Sequence, residues 1–233
     1  DNISFSNLRK FDGKKTRKLN LSEISQIAGR AGRHVNDGTF GVTGDCKHLS
    51  SEEIEKLEKH DLSKINMLFW RNSNIVFDSL NALIASLDEK TTNEFLQRIN
   101  DCEDEKVLKF LIKNDKDILD KCSKDFVKTL WECCQIPDFS KKEYGNHIEI
   151  IKKVFGFLTS NTNKVTNEYM KNQLEHLDKY EGNIDTLSNR ISNVRTWSYV
   201  ANKKNWTSNS DYWIERTKHI EDKLSDKLHE ELT

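Results

Sequence analysis

Proline is nearly absent: the 233 residues contain one, Pro137. Average usage is about 5%, and a chain this free of proline can run as long helices. An all-β sandwich is disfavoured from the outset. Cysteine is sparse and unpatterned. Cys46, Cys102, Cys122, Cys133 and Cys134 are odd in number and include no C-x-x-C spacing. That argues against a disulfide-stapled secreted domain and for a reducing compartment. The seven histidines show no H-x-x-x-H, H-E-x-x-H or Cys/His pairing at zinc spacing, so no structural metal is expected. Long apolar runs are missing as well. The longest is about five residues, Val154 to Leu158, against the ~18 of a transmembrane helix, and no basic segment leads into an apolar signal core. Charge of one sign is not in excess: 37 basic and 38 acidic residues give a net charge of −1. No global attraction to nucleic acid or membrane follows. The chain starts at Asp1 rather than Met, which suggests a fragment or a processed product.

What the chain does have is a change of character near residue 48. Ile3-Ser4-Phe5-Ser6-Asn7-Leu8 alternates apolar and polar residues, the pattern of a half-buried strand. A basic stretch follows, with Arg9, Lys10, Lys14, Lys15, Arg17 and Lys18 against Asp12 alone, and it is expected as a loop. Asn20 with Glu23 three residues on forms a capping box, which starts a helix predicted over Leu21–Gly32. Asp37-Gly38 signals a turn, and Thr39-Phe40-Gly41-Val42-Thr43 a second strand. Residues 1–48 therefore look like the last part of an α/β domain.

From Ser50 onward only helices are expected. The predicted spans are Ser51–His60, Leu62–Trp70, Ser79–Leu87, Thr92–Asn100, Glu105–Asn114, Ile118–Cys122 and Lys124–Gln135, with a break at Pro137. Longer ones follow at His147–Leu158, Lys164–Tyr180, Ile184–Lys203 and Asp211–Leu232. Trp213, Thr217, Ile220, Leu224 and Leu228 make one apolar stripe, and Leu187, Ile191, Val194 and Ala201 make its partner. These last two helices are predicted to form an antiparallel hairpin turning around Asn205–Asn209. The fold class is mainly α: a helical-bundle domain at 49–233, preceded by a small α/β remnant at 1–48.

The segment richest in chemistry is Gln26-Ile27-Ala28-Gly29-Arg30-Ala31-Gly32-Arg33, of the form Q-x-x-G-R-x-G-R. On a continued helix, at about 100° per residue, Gln26, Arg30 and Arg33 share one face, and Ile24, Ile27, Ala28 and Ala31 the other. Two guanidiniums one turn apart, with small glycines beside them, suit an oxyanion-rich ligand. Arginine is always charged, and its planar fork binds phosphate bidentately.

This octet resembles the sixth conserved motif of superfamily 2 helicases. The resemblance extends through Leu8-Arg9-Lys10-Phe11-Asp12-Gly13 before it and Asp37 to Gly44 after it. It continues in Leu130 to Phe139, in Val194 to Asn202, and in Trp213 through Leu228. Nearly the whole chain is similar to DExH RNA helicases of the mitochondrial-degradosome type and their bacterial relatives. The resemblance implies an ATP-dependent RNA helicase in which Gln26, Arg30 and Arg33 act catalytically as arginine fingers and their support. Gln26, Gly29, Arg30 and Arg33 would face the nucleotide. It implies ATP and Mg²⁺ as cofactors, RNA as substrate, an exoribonuclease as a possible partner, and no membrane. The location would be bacterial cytoplasm, or mitochondrial matrix in a eukaryote.

Two elements of that ATPase do not occur in these residues. There is no G-x-x-x-x-G-K-[ST] loop and no D-E-x-H; Gly13-Lys14-Lys15-Thr16 and Asp101-Cys102-Glu103-Asp104 match neither. They are expected on a first RecA-like domain upstream, and the 233 residues alone are expected to be inactive and to hold no nucleotide. The alternative function is a non-catalytic helical module that binds RNA or protein.

Other features carry two readings each. The basic residues Arg9, Lys10, Lys14, Lys15, Arg17 and Lys18 either grip an RNA backbone or form a solvated loop. Trp197, Tyr199, Trp206, Tyr212 and Trp213 either stack bases or pack the hairpin turn, and the apolar stripe headed by Trp213 favours packing. Trp70 and Trp131 are expected in the core. His34 follows Arg33 and is expected to be structural, and Glu52–Glu58 to be a solvated helix face.

Overall fold

A computed structural model describes residues 1–12, 15–32, 37–100, 102–115, 123–140 and 144–232. It divides into two compact units, Asp1–Leu68 and Phe69–Thr233. The architecture is mainly α, with small two-stranded sheets.

In the first unit, β1 (Asn2–Phe5) pairs in parallel with β4 (Thr39–Val42), Ile3 opposite Phe40 and Phe5 opposite Val42. A parallel pair needs a crossover, and α1 (Leu21–Ala28) lies in that connection. The alternation of β1 turns Phe5 and Ile3 toward a small core with Phe40 and Val42, and α1 adds Ile24, which is fully buried. The expected basic loop is instead an antiparallel hairpin, β2 (Arg9–Phe11) and β3 (Thr16–Lys18), with Lys10 opposite Arg17. Charged residues carry little strand propensity, so this pairing leaves no clear trace in the sequence. Helix α2 (Ser51–Glu58) follows, started by a second capping box, Ser50 with Glu53. Leu57 on α2 joins the core that Ile24 anchors.

The spans Leu62–Trp70 and Thr92–Asn100, expected as helices, are not; they contain the short strands β5 (Leu68–Trp70) and β6 (Leu96–Arg98), which pair with each other. Short apolar runs such as Met67-Leu68-Phe69-Trp70 do not distinguish strand from helix by periodicity. The remaining helices are α3 (Leu80–Leu87), α4 (Glu103–Asn114), α5 (Lys124–Cys134), α6 (Tyr144–Leu158), α7 (Asn167–Glu175), α8 (Ile184–Asn202) and α9 (Ser210–Leu232). The predicted helix Ile118–Cys122 lies outside the described residues. Hydroxyl and amide caps start several of them: Ser79, Ser123, Thr166 and Asn183 each accept a first-turn backbone N–H.

The helices enclose one core. It runs from Leu80 and Leu83 on α3 through Leu108, Leu130 and Ile151 to Met170, Leu187, Ile220 and Leu224. Helices α8 and α9 form the expected hairpin, with Arg195 Nε donating to Glu221 Oε1 at 2.7 Å across it. Its turn is tied down where the Val165 N–H donates to the Trp206 carbonyl at 2.8 Å. A buried charge network holds β6 to α4. Arg98 Nη2 lies 2.9 Å from Glu105 Oε2, and Arg71 forks onto Asp104 at 2.8 and 2.9 Å. Glu105 is 2% exposed, a burial a carboxylate reaches only when paired.

Candidate nucleotide and nucleic-acid site

Helix α1 presents the octet, and it ends sooner than the sequence suggests. The Asn20 side chain accepts from Glu23 N–H, and the Glu23 side chain accepts from Asn20 N–H, so both orphan donors are satisfied. The helix then stops at Ala28, with Gly29 as its C-cap. Gly29 N–H still reaches Ser25 O at 2.8 Å, but Arg30 and Ala31 donate only to the i−3 carbonyls of Ile27 and Ala28. Gln26 is therefore on the helix and Arg30 on a tight turn beyond it. The helix expected to continue to Gly32 is interrupted between Gln26 and Arg30, where Gly29 closes it. Arg33 and His34 lie outside the described residues, as does Lys14.

The packing side of the octet does form. Ile24 and Ala31 are buried, and Ile27 and Ala28 pack against the same core. Gln26 and Arg30 are exposed, and neither has a side-chain partner among the described residues. The space around Gly38 shows why a glycine precedes β4. A Cβ there would lie 2.4 Å from the Ala31 carbonyl carbon and 2.5 Å from the Gly32 nitrogen. The entrance to β4 is thus pressed against the backbone just after Arg30.

Acidic residues of α1 and α2 engage part of the charge on the basic hairpin. Lys10 and Arg17, cross-strand neighbours, both reach Glu23 on α1. Arg17 Nη1 and Nη2 donate to Glu23 Oε2 and Oε1 at 2.8 and 2.9 Å, and Lys10 Nζ lies 2.5 Å from Oε1. Arg17, then Lys10 and the Asn20 amide, hold the Glu23 carboxyl far below the usual carboxylate range. Lys18 pairs with Glu53 on α2 at 2.6 Å, and with the Ser50 amide it lowers that carboxyl too. Arg9 donates to the Thr16 carbonyl and Lys15 has no acidic partner among the described residues. Beside Arg9 on the same face lies Phe11, 67% exposed. Sequence reasoning passed over Phe11. An aromatic at i+2 from an arginine in a strand was the signal that could have found it.

The aromatic group of the second unit packs rather than projects. Trp197, Trp206 and Trp213 are buried, and Trp213 Nε1–H donates to Asn167 Oδ1 at 3.0 Å. Lys203 lies over the rings of Tyr199 and Trp206 at 5.2 and 5.7 Å. Tyr212 is the exception, 57% exposed. Trp131 is in the core, while Trp70 is half-buried. Burial pushes the Cys133 and Cys134 thiols well up, which leaves them inert. Among the described residues, no three side chains gather as a metal site, and no helix is long and apolar enough to cross a membrane.

Over 46 residues the chain is 68% identical to the mitochondrial DExH-box ATP-dependent RNA helicase DExH16 of Arabidopsis thaliana. The similarity covers 20% of this chain and 8% of that helicase, so the chain matches a small part of its relative's length. This relates the segment to DExH-box RNA helicases. No protein-family profile and no solved structure matches the chain.

Proposed function

We propose that this chain is the C-terminal part of an ATP-dependent RNA helicase of the mitochondrial-degradosome type. In this reading residues 1–48 end its second RecA-like domain and 49–233 form a helical platform for nucleic acid or a partner such as an exoribonuclease. The observation that carries it is Arg30. Its guanidinium is exposed and unpaired among the described residues, on a turn fixed by Gly29 and Gly38, within a Q-x-x-G-R-x-G-R octet. The identity to a DExH-box helicase supports the same reading.

An always-charged fork exposed on a turn suits the charge that develops on a γ-phosphate as water attacks it. The octet also carries the Gln26 amide and the Arg33 guanidinium, which in this reading would complete the contacts to the nucleotide. ATP and Mg²⁺ supply the phosphoanhydride and its charge neutralisation. The 233 residues contain neither a Walker A loop nor D-E-x-H, so those contacts fall to another domain. The basic residues Arg9, Lys10, Lys14, Lys15, Arg17 and Lys18 would meet the RNA backbone.

RNA-stimulated ATPase of the intact helicase tests this. Arg30→Ala or Arg33→Ala is expected to lower turnover by roughly 10³–10⁵, the worth of an arginine finger, with RNA affinity little changed. A loss below about tenfold for both refutes the assignment. The 233-residue chain alone is expected to show no ATPase. Its own turnover would refute the half-site, whereas RNA binding together with wild-type ATPase in both arginine variants would favour the binding-module reading.

A further inference from the structure

The geometry around Glu23 is that of a phosphate seat already filled. A carboxylate gripped by an arginine fork and a lysine makes the contacts a phosphodiester would make, because guanidinium pairs bidentately with either anion. We propose that Lys10 and Arg17 form a binding seat for a backbone phosphate of single-stranded RNA, and that Glu23 occupies it in the free protein as a built-in competitor. The inference rests on the reading of the β2–β3 hairpin as a nucleic-acid contact and goes one step beyond it.

Three features support it. First, the seat is reachable: the Lys10 and Arg17 side chains are 44% and 32% exposed, and Glu23 21%. Second, Glu23 can release the cations without becoming an orphan. Its Oε2 also accepts from Asn20 N–H at 3.0 Å, and that capping bond stays within α1. Third, the neighbouring surface has the character of a single-strand site. Arg9 and the exposed ring of Phe11 share one face of the same hairpin, and basic tracking of the backbone with an aromatic for stacking is how single strands are held without sequence readout. Glu23 also lies one turn before Gln26. A phosphate that takes Arg17 and Lys10 from it would loosen the tie between the hairpin and the helix that carries the octet.

The test is binding of a fluorescein-labelled oligouridylate to the 233-residue chain across a salt series, followed by anisotropy. Glu23→Gln keeps a side-chain acceptor for the Asn20 amide, since glutamine serves in a capping box, and unchanged helical circular dichroism would show that the fold is intact. It removes the competing charge. The expected result is tighter binding, on the order of threefold to tenfold at low salt. Lys10 is freed outright while Arg17 Nε stays 3.4 Å from Asp12, so the salt slope should steepen by about 0.7 to 1.4, at ~0.7 per phosphate on a single strand. Adding Arg17→Met and Lys10→Met to Glu23→Gln should abolish the gain. If Glu23→Gln binds like the wild type while Arg9→Ala with Lys15→Ala weakens binding, the competitor is overturned and the hairpin reading stands. If no form of the chain binds RNA, both fall. A gain for inorganic phosphate in competition assays with none for RNA overturns the assignment to an RNA backbone.

Discussion

The two units of this protein are held together by different means. Among the described residues the second unit buries thirty apolar side chains in one core, from Leu80 to Leu224. The first buries six in its core, Phe5, Leu8, Leu19, Ile24, Cys46 and Leu57, and supplements them with ion pairs that tie its hairpin to α1 and α2. Lys10 and Arg17 meet Glu23, and Lys18 meets Glu53. Below about 70–80 residues a single core rarely supplies more than ~3–5 kcal/mol. The unit that bears the octet is therefore the weaker one. Stability and candidate chemistry are segregated along the chain, and the exposed Arg30 lies in the more lightly packed unit.

The strongest way to sharpen this contrast is to cut into the larger core. Leu224 on α9 is fully buried, and Leu224→Ala is expected to destabilise the second unit by about 3–5 kcal/mol through lost burial and a cavity. All five tryptophans lie at residue 70 or beyond, so their fluorescence follows this unit. Amide hydrogen exchange gives the companion measurement. Slow exchange is expected in α8 and α9 of the wild type and fast exchange within residues 1–45. Strong protection of that N-terminal stretch would break the comparison.

The next effect belongs to the first unit. Gly38→Ala puts a methyl group into the backbone of Ala31 and Gly32, with no flexible side chain to move aside. A cost of about 1–3 kcal/mol is expected, as for overpacking elsewhere. It should appear as faster exchange in residues 21–43 with tryptophan fluorescence unmoved. A neutral Gly38→Ala would mean that the turn after Arg30 is not pinned by β4.

These substitutions also show what the sequence could and could not convey. The capping box at Asn20 and Glu23 was legible because its partners are three residues apart and chemically distinctive. The α8–α9 hairpin was legible because long amphipathic stripes tolerate errors of a residue or two. The end of α1 was not. Q-x-x-G-R-x-G-R continues a plausible helical face across Gly29, and the packing of Gly38 on Ala31–Gly32, six to seven residues away, is a contact that the local pattern does not carry. The ion pairs were hidden for the same reason. Lys18 finds Glu53 across 35 residues, and neither it nor the Lys10 and Arg17 pairs with Glu23 shows in the run of basic residues. Strands β5 and β6 were lost to a different ambiguity, short apolar runs whose state depends on a partner strand.

A smaller change tests how far local structure supports the weaker unit. Asn20→Ala removes the acceptor for Glu23 N–H and should cost about 1 kcal/mol, within the usual ~0.5–2 for a lost N-cap. Exchange should quicken in α1 alone. Ser50→Ala does the same to α2, where the cap and the Lys18–Glu53 pair share one carboxylate. If both leave exchange unchanged, the small core rather than the caps sets the stability of this unit.

The gentlest perturbation is pH, and it should separate the units in the order opposite to their size. His147 on α6 is 6% exposed, and burial lowers its pKa below the ordinary 6.5, opposed in part by Asp138, the Ile136 carbonyl and Glu103. The unfolded chain then takes up a proton near pH 6.5 that the folded unit still refuses. Unfolded protein binds more protons in that window, so stability falls as pH drops below about 6.5. Glu23 and Glu53 in the first unit work lower on the scale. Their folded pKa values are depressed by Arg17, Lys10 and Lys18, so their contribution is intact above the ordinary carboxylate pKa of about 4.3 and is lost below it. Tryptophan fluorescence should therefore show the second unit weakening as pH falls below about 6.5, while exchange in α1 and α2 holds until about pH 4.3. His147→Gln should flatten the first of these dependences and leave the second in place. A second unit whose denaturation midpoint stays constant from pH 7 to about 5 would show that the buried imidazole accepts its proton without cost.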